Sequence, residues 1–154
     1  MNRKLHIGID PGFSGGIAFI DSDGNSSAHK CPREPSEMSD IFFEAVTQYS
    51  LNDISCCIEH VHAFPTDGRS SAFKFGYNFG VWNGIISSMD LKCWEVTPVV
   101  WQKFFDTPKF KIKKERKRWL KNLAQELFPH MRVTFNISDA LLIAEYCRKR
   151  PDDA

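Results

Sequence analysis

Asp10 in the segment IGIDPG, Glu59 closing DISCCIEH and Asp139 in NISDALLIA are carboxylates far apart in the chain whose surroundings can deliver them to one place. Hydrolysis of a phosphodiester needs a water made nucleophilic and a leaving oxygen stabilised, and two divalent ions roughly 4 Å apart do both. Magnesium takes oxygen ligands, so three or four acids converging from different elements form the smallest cage that holds such a pair. Each acid alone has a plainer reading. A strand-end Asp before Pro-Gly forms a turn, a strand-end Glu faces solvent, and an Asp near a helix start caps it. It is the joint context that favours a metal-dependent nuclease site. Asn136, one helical turn ahead of Asp139, sets an amide where a fourth carboxylate is expected. An amide oxygen can touch a metal but brings no negative charge and cannot act as a base.

The elements that must position these residues follow from pattern. Asp10 ends an apolar run (Leu5, Ile7, Ile9) and Glu59 ends another (Ile54, Cys56, Cys57, Ile58), so both read as strand ends that become neighbours in a parallel sheet. Residues 4–9 and 16–21, with a third short run near Ala28, read as a meander broken by PGFSGG and DSDGNSS. Ser36 and Ser39 are N-cap candidates for a helix carrying Ile41, Phe42, Ala45, Val46 and Tyr49. Ser70 is the expected cap of a helix through Ser88, in which Gly76, Gly80 and Gly84 form a stripe where a backbone or partner subunit can approach. A strand at 91–96, a short helix at 99–104, a helix at 114–128 ended by Pro129 and a last helix at 137–148 complete the chain. Trp119, Leu120, Leu123, Ala124 and Leu127 mark the apolar face of the 114–128 helix. A meander followed by strands alternating with helices predicts an α/β fold, a mixed sheet covered by helices.

Composition bounds the reading. With 154 residues, 42% of them hydrophobic and 13 of them phenylalanine, the chain is expected to form one domain over 1–154 with a real core. The five cysteines lie mostly in apolar runs without CxxC spacing, which points to reduced thiols and a cytoplasmic protein. No apolar run approaches the roughly 20 residues that span a bilayer, so no membrane association is expected. The four tryptophans mostly fall on apolar stripes and read as core, while Trp82, on the glycine-bearing helix, could equally belong to a dimer interface.

Net charge is only +1, yet from Lys109 to Lys121 eight of thirteen residues are Lys or Arg against one acid, Glu115. A solvated helix face would pair its bases with acids at i, i+4, and these are nearly absent. Lys111, Lys113, Lys114, Arg116, Lys117 and Arg118 are therefore expected phosphate contacts, with Lys74 a further one. No base-reading motif accompanies them, which suits recognition of shape. His60 and His62 flank Val61 and read as loop or DNA-backbone residues, and His130 as a solvent histidine.

Together, Gly8-Ile9-Asp10-Pro11-Gly12 with Ser14-Gly15-Gly16, then Ile58-Glu59, then Ser71, Phe73, Lys74, Gly76 and Gly80, then Asp139-Ala140-Leu141 with Ile143-Ala144 resemble the RuvC family of Holliday-junction resolvases in the RNase H-like superfamily. The match in order and spacing runs from residue 5 to 147. Actin-like kinases share an early Asp-Gly turn but want two such domains. The resemblance implies an RNase H-like mixed five-stranded β-sheet flanked by α-helices. It also implies a homodimer that binds four-way DNA junctions and nicks paired strands with two Mg2+ or Mn2+ ions per site and no small-molecule cofactor. By position, Asp10 would bridge both ions, Glu59 and Asp139 would each complete one, and Asn136 stands at the fourth place. That amide is either a natural departure or an introduced change that disarms the enzyme, and the intact remainder favours the second. Family enzymes carry an aromatic wedge near the loop after Glu59, where His62 stands and Phe64 follows. A non-catalytic junction-binding protein and an RNase H-like hydrolase of RNA–DNA hybrids or flaps are the competing expectations. A compact chain that departs freely around its motif suggests a phage protein acting in bacterial cytoplasm.

Overall fold

The structure, a computed structural model, describes residues 3–60 and 62–150. Strand β1 (Leu5–Asp10) pairs antiparallel with β2 (Gly16–Asp21), which pairs antiparallel with β3 (Ser26–Lys30). On its other side β1 runs parallel to β4 (Ile54–Glu59), and β4 runs parallel to β5 (Lys92–Val96), giving the order β3-β2-β1-β4-β5. The expected mixed five-stranded sheet is what forms.

Alternation along the strands assigns each residue to a face. Leu5, Ile7 and Ile9 of β1, Ile17 and Phe19 of β2, and Ile54, Cys56 and Ile58 of β4 pack on one side. They meet Met38, Phe42 and Val46 of α1 (Pro35–Val46) and Trp82 and Ile86 of α2 (Arg69–Ser88). Ile7, Ile9 and Ile58 are completely buried, each worth about 1.5–3 kcal/mol. On the opposite side Ala18, Ile20, Cys57 and Val96 pack against α3 (Pro98–Phe104), α4 (Lys113–Leu127) and α5 (Phe135–Lys149). By parity, Asp10 of β1 and Glu59 of β4 belong to that second face, and the register pair Ile9 and Ile58 brings the two strand ends side by side.

Helix α5 lies against β1 more closely than a side chain would permit. A Cβ built on Gly8 would stand 2.2 Å from the Ala144 nitrogen and 2.3 Å from the Ala140 oxygen, so glycine at 8 sets the helix–sheet distance. Gly15 and Gly16 do likewise for the β1–β2 turn. Their Cβ positions would meet the Asp10 carbonyl at 2.0 Å and the Asn136 carbonyl at 2.7 Å.

Several helix boundaries differ from expectation. Helix α1 opens with Pro35 after Glu34, so Ser36 and Ser39 are inside it and Tyr49 lies beyond its end. Proline's fixed φ suits the first helical position and outweighs a side-chain cap. Helix α2 starts at Arg69 after Gly68, with Ser70 already helical. Helix α5 starts at Phe135 after Thr134, so Asp139 sits in its second turn and Asn136 in its first. On α4, Leu120 and Ala124 are buried as expected, whereas Leu127 is 41% exposed. A Cβ at Gly76, Gly80 or Gly84 would meet nothing within 4 Å, so no packing within the chain requires these glycines. Each costs about 1 kcal/mol of helix propensity relative to alanine. Trp82 is fully buried under the sheet, which removes it from any interface. All five cysteines are free. Among the described residues no helix is long and apolar enough to cross a membrane.

Candidate active site

A cavity of 510 Å³ opens at the carboxyl ends of β1 and β4, lined by Asp10, Glu59 and Asp139 together with Lys113, Arg116 and Lys117 of α4. Three elements thus deliver the acids and a fourth supplies cations. Asp10 and Glu59 arrive by strand parity, and Asp139 arrives because Gly8 lets α5 settle onto β1. A smaller hollow of 240 Å³ around Tyr49 and Asp21 holds no comparable set, since Asp21 is already engaged by Arg3 and Asn25.

The acids are close enough to feel one another. Burial pushes the Asp10 carboxyl well above its usual range, and the charges of Asp139 and Glu59 push it further. Burial raises Glu59 to about 7, with Asp139 adding to the rise while the Trp101 hydrogen bond, Arg116 and Lys117 oppose it. Asp139 is raised by burial and restrained by Lys117, Arg116 and the Ser138 hydroxyl. Crowded carboxylates that resist ionisation in the absence of a counter-charge are the donor chemistry a hard divalent cation satisfies. Among the described residues, however, no three His, Cys, Asp or Glu side chains stand together as a ready-made ligand set. The Glu59 Oε2 accepts a 2.7 Å hydrogen bond from the indole Nε1 of Trp101.

Trp101 and Asn78 are the residues that sequence reasoning missed here. Trp101 is fully buried, as a core tryptophan should be, but a buried indole N–H needs an acceptor, and that requirement was the available signal. Asn78, also fully buried, accepts a 2.6 Å hydrogen bond from the Gly12 backbone N–H through its Oδ1 and donates through Nδ2 to the Cys31 sulfur. It fixes the turn that follows Asp10. A lone Asn within an aromatic helix gave no hint of this, because the partner lies 66 positions away.

The remaining expected residues divide. Phe64 lines the acidic cavity and is 58% exposed, with its ring 4.5 Å from that of His62. His60 and His62 also line the cavity, and His60 Nδ1 pairs with Glu95 at 2.7 Å. Lys111, Lys114, Arg118 and Lys74 are exposed and lie outside the lining. Asn136 is outside it too: its Nδ2 donates to the Ser14 carbonyl at 2.8 Å, stapling α5 to the β1–β2 turn. His130 is exposed and bonds the Ser26 hydroxyl at 3.1 Å.

The structure of Thermus thermophilus RuvC in complex with a Holliday junction substrate matches with a TM-score of 0.61 over 95% of this chain and 96% of that one, at 13% identity. The Thermus thermophilus RuvC structure matches with a TM-score of 0.55 over 94% and 95% of the two chains, at 15% identity. The chain has a RuvC-like, RNase H-like fold. No protein-family model matches it, and no curated protein matches it by sequence. At such identities the likeness speaks for the fold, and the chemistry must be argued from the site.

Proposed function

We propose that this chain is a divalent-metal-dependent endonuclease acting on branched DNA, with the four-way junction as its main substrate. The observation that carries the reading is the convergence of Asp10, Glu59 and Asp139 in one cavity walled by Lys113, Arg116 and Lys117, on a RuvC-like fold. Asp10, at the centre of the mutual repulsion, would hold the Mg2+ or Mn2+ ions together with Glu59 and Asp139. When bound, the ions supply positive charge for the attacking water and the departing oxygen. The chain's own part is positional and electrostatic. Trp101 holds the Glu59 carboxylate at the edge of the sheet, Asn78 fixes the Gly12 turn, and Gly8 keeps Asp139 against β1. Lys113, Arg116 and Lys117 neutralise backbone phosphates around the scissile one, and the exposed Lys111, Lys114, Arg118 and Lys74 extend that contact outward. Two copies would present two such cavities to opposing strands, the open α2 face with Phe73 (76% exposed) and Tyr77 (47% exposed) serving as the contact. The setting is the cytoplasm of a bacterium, the protein encoded by the cell or by its phage.

A second reading, junction binding without cleavage, is favoured by Asn136. Its amide is a hydrogen-bond donor to the Ser14 carbonyl, a part that a carboxylate cannot play, so the amide suits its surroundings as the natural residue. The test sets the chain beside its Asn136→Asp and Asp10→Asn variants, with four-way junctions, flaps and RNA–DNA hybrids, in Mg2+ and in Mn2+. Junction nicking that Asp10→Asn abolishes and Asn136→Asp accelerates supports the enzyme. Tight junction binding with no nicking by any form supports the binder, and preferential cutting of hybrids supports neither.

A further inference from the structure

The Glu59 carboxylate enters the acidic cavity with one of its two oxygens already engaged. The partner is the indole Nε1 of Trp101, which donates to Oε2 at 2.7 Å, and Trp101 has no exposed surface. Its place follows from the strand ends. Glu59 is the register partner of Val96 on β5, the His60 N–H donates to the Val96 carbonyl at 2.7 Å, and Thr97 and Pro98 then turn the chain directly into α3. Trp101, one turn into that short helix, is thereby brought back to the end of β4. Its ring belongs to the same buried cluster as Leu120 and Ala124 of α4 and Leu141 of α5, so it has no room to swing away.

We propose that Trp101 is a positioning residue that leaves Glu59 one oxygen to give, and so biases the acidic cavity toward Mg2+ and against Ca2+. This deepens the nuclease proposal and rests on its metal site. An ion that displaced the indole from Oε2 would leave a buried N–H without an acceptor, which folded chains rarely tolerate. An ion added to Oε2 beside the indole would bring its charge up to the positive end of the N–H across a single oxygen. Oε1 is therefore the oxygen on offer. Mg2+ demands a near-ideal octahedron and keeps several waters in it, so one oxygen from Glu59 meets its need. Ca2+ gathers about six to eight oxygens and often completes that number with carboxylates that give both of theirs. Asp10 and Asp139 supply negative charge to either ion alike, so the supply of free oxygens is what separates the two. With the indole in place, Ca2+ is the ion that loses.

Trp101→Phe keeps an aromatic ring in the core and removes the donor; circular dichroism confirms its fold. Melting temperature titrated with Mg2+ and with Ca2+, in the absence of DNA, yields an apparent Kd for each ion in each protein. The unmodified chain should bind Mg2+ more tightly than Ca2+. Trp101→Phe should shift the ratio about tenfold toward Ca2+, equivalent to about 1.4 kcal/mol. A packing defect alone would weaken both ions together, so an unchanged ratio would overturn the role of Trp101 and leave the metal site standing. No shift of the unmodified chain by either ion would overturn the metal site and this proposal with it. Should Trp101→Phe fail to fold, heteronuclear NMR of the unmodified chain decides. At saturating Mg2+ the Trp101 indole proton should keep the downfield position of a hydrogen-bonded proton, and its movement upfield would overturn the proposal.

Discussion

Glu59 carries the clearest residue-scale consequence. Burial and the neighbouring Asp139 hold it near 7 in the fold against 4.5 as an ordinary carboxyl, so the folded chain binds more protons than the unfolded one between those values. For a group raised in this way the favourable contribution is complete below about 4.5 and is lost as pH rises through about 7. Metal-free protein should therefore lose melting temperature over that window. Mg2+ should restore more of it at pH 8 than at pH 5, because the ionised acids are the ones it binds. Equal shifts at both pH values would argue against a cation among these carboxylates. Asn136 gives a companion expectation. In Asn136→Asp, a carboxylate would face the Ser14 carbonyl that the amide now satisfies, costing about 1–3 kcal/mol without a counter-ion. Scanning calorimetry should show a lower melting temperature in chelator and a recovery with Mg2+.

The elements explain why some of the site was legible in the chain and some was not. The strand ends were readable because β periodicity is short and local: Leu5, Ile7 and Ile9 fill one face, which sends Asp10 to the other, and Ile54, Cys56 and Ile58 do the same for Glu59. Asp139 was readable from the apolar run that follows it, although its helix begins earlier, at Phe135. Caps were less readable, because Pro35 and Gly68 start their helices through backbone preference while nearby serines only mimic caps. Asn78 and the Trp101–Glu59 hydrogen bond were invisible because both join distant segments. Gly8→Ala tests the element scale. With a Cβ 2.2 Å from the Ala144 nitrogen, α5 must lift, and denaturant unfolding should show a loss of about 3 kcal/mol, the upper range for an overpacked core. Helix α4 can be tested by charge reversal. Lys117→Glu, inside the acidic cavity, should reduce both binding and cutting of junction DNA, whereas Lys114→Glu, outside it, should chiefly weaken binding and flatten its salt dependence. Equivalent losses from the two would remove the distinction between lining and approach.

At the scale of the whole molecule, nearly balanced charge is compatible with tight DNA binding because the bases are concentrated on α4, at the mouth of the acid-bearing cavity. The sheet order brings the site together: the neighbouring parallel ends of β1 and β4 hold two acids, α5 brings the third, and α4 adds cations to the same cavity. The central claim is that these parts form one phosphodiester-cleaving centre. Its most direct measurement is single-turnover cleavage of a strand-labelled four-way junction in Mn2+ by the chain and its Asn136→Asp and Asp10→Asn variants. Slow paired nicks by the chain, accelerated at least about tenfold by Asn136→Asp, about 1.4 kcal/mol of barrier, and absent from Asp10→Asn, are the predicted result. Junctions bound yet left whole by both the chain and Asn136→Asp would contradict it.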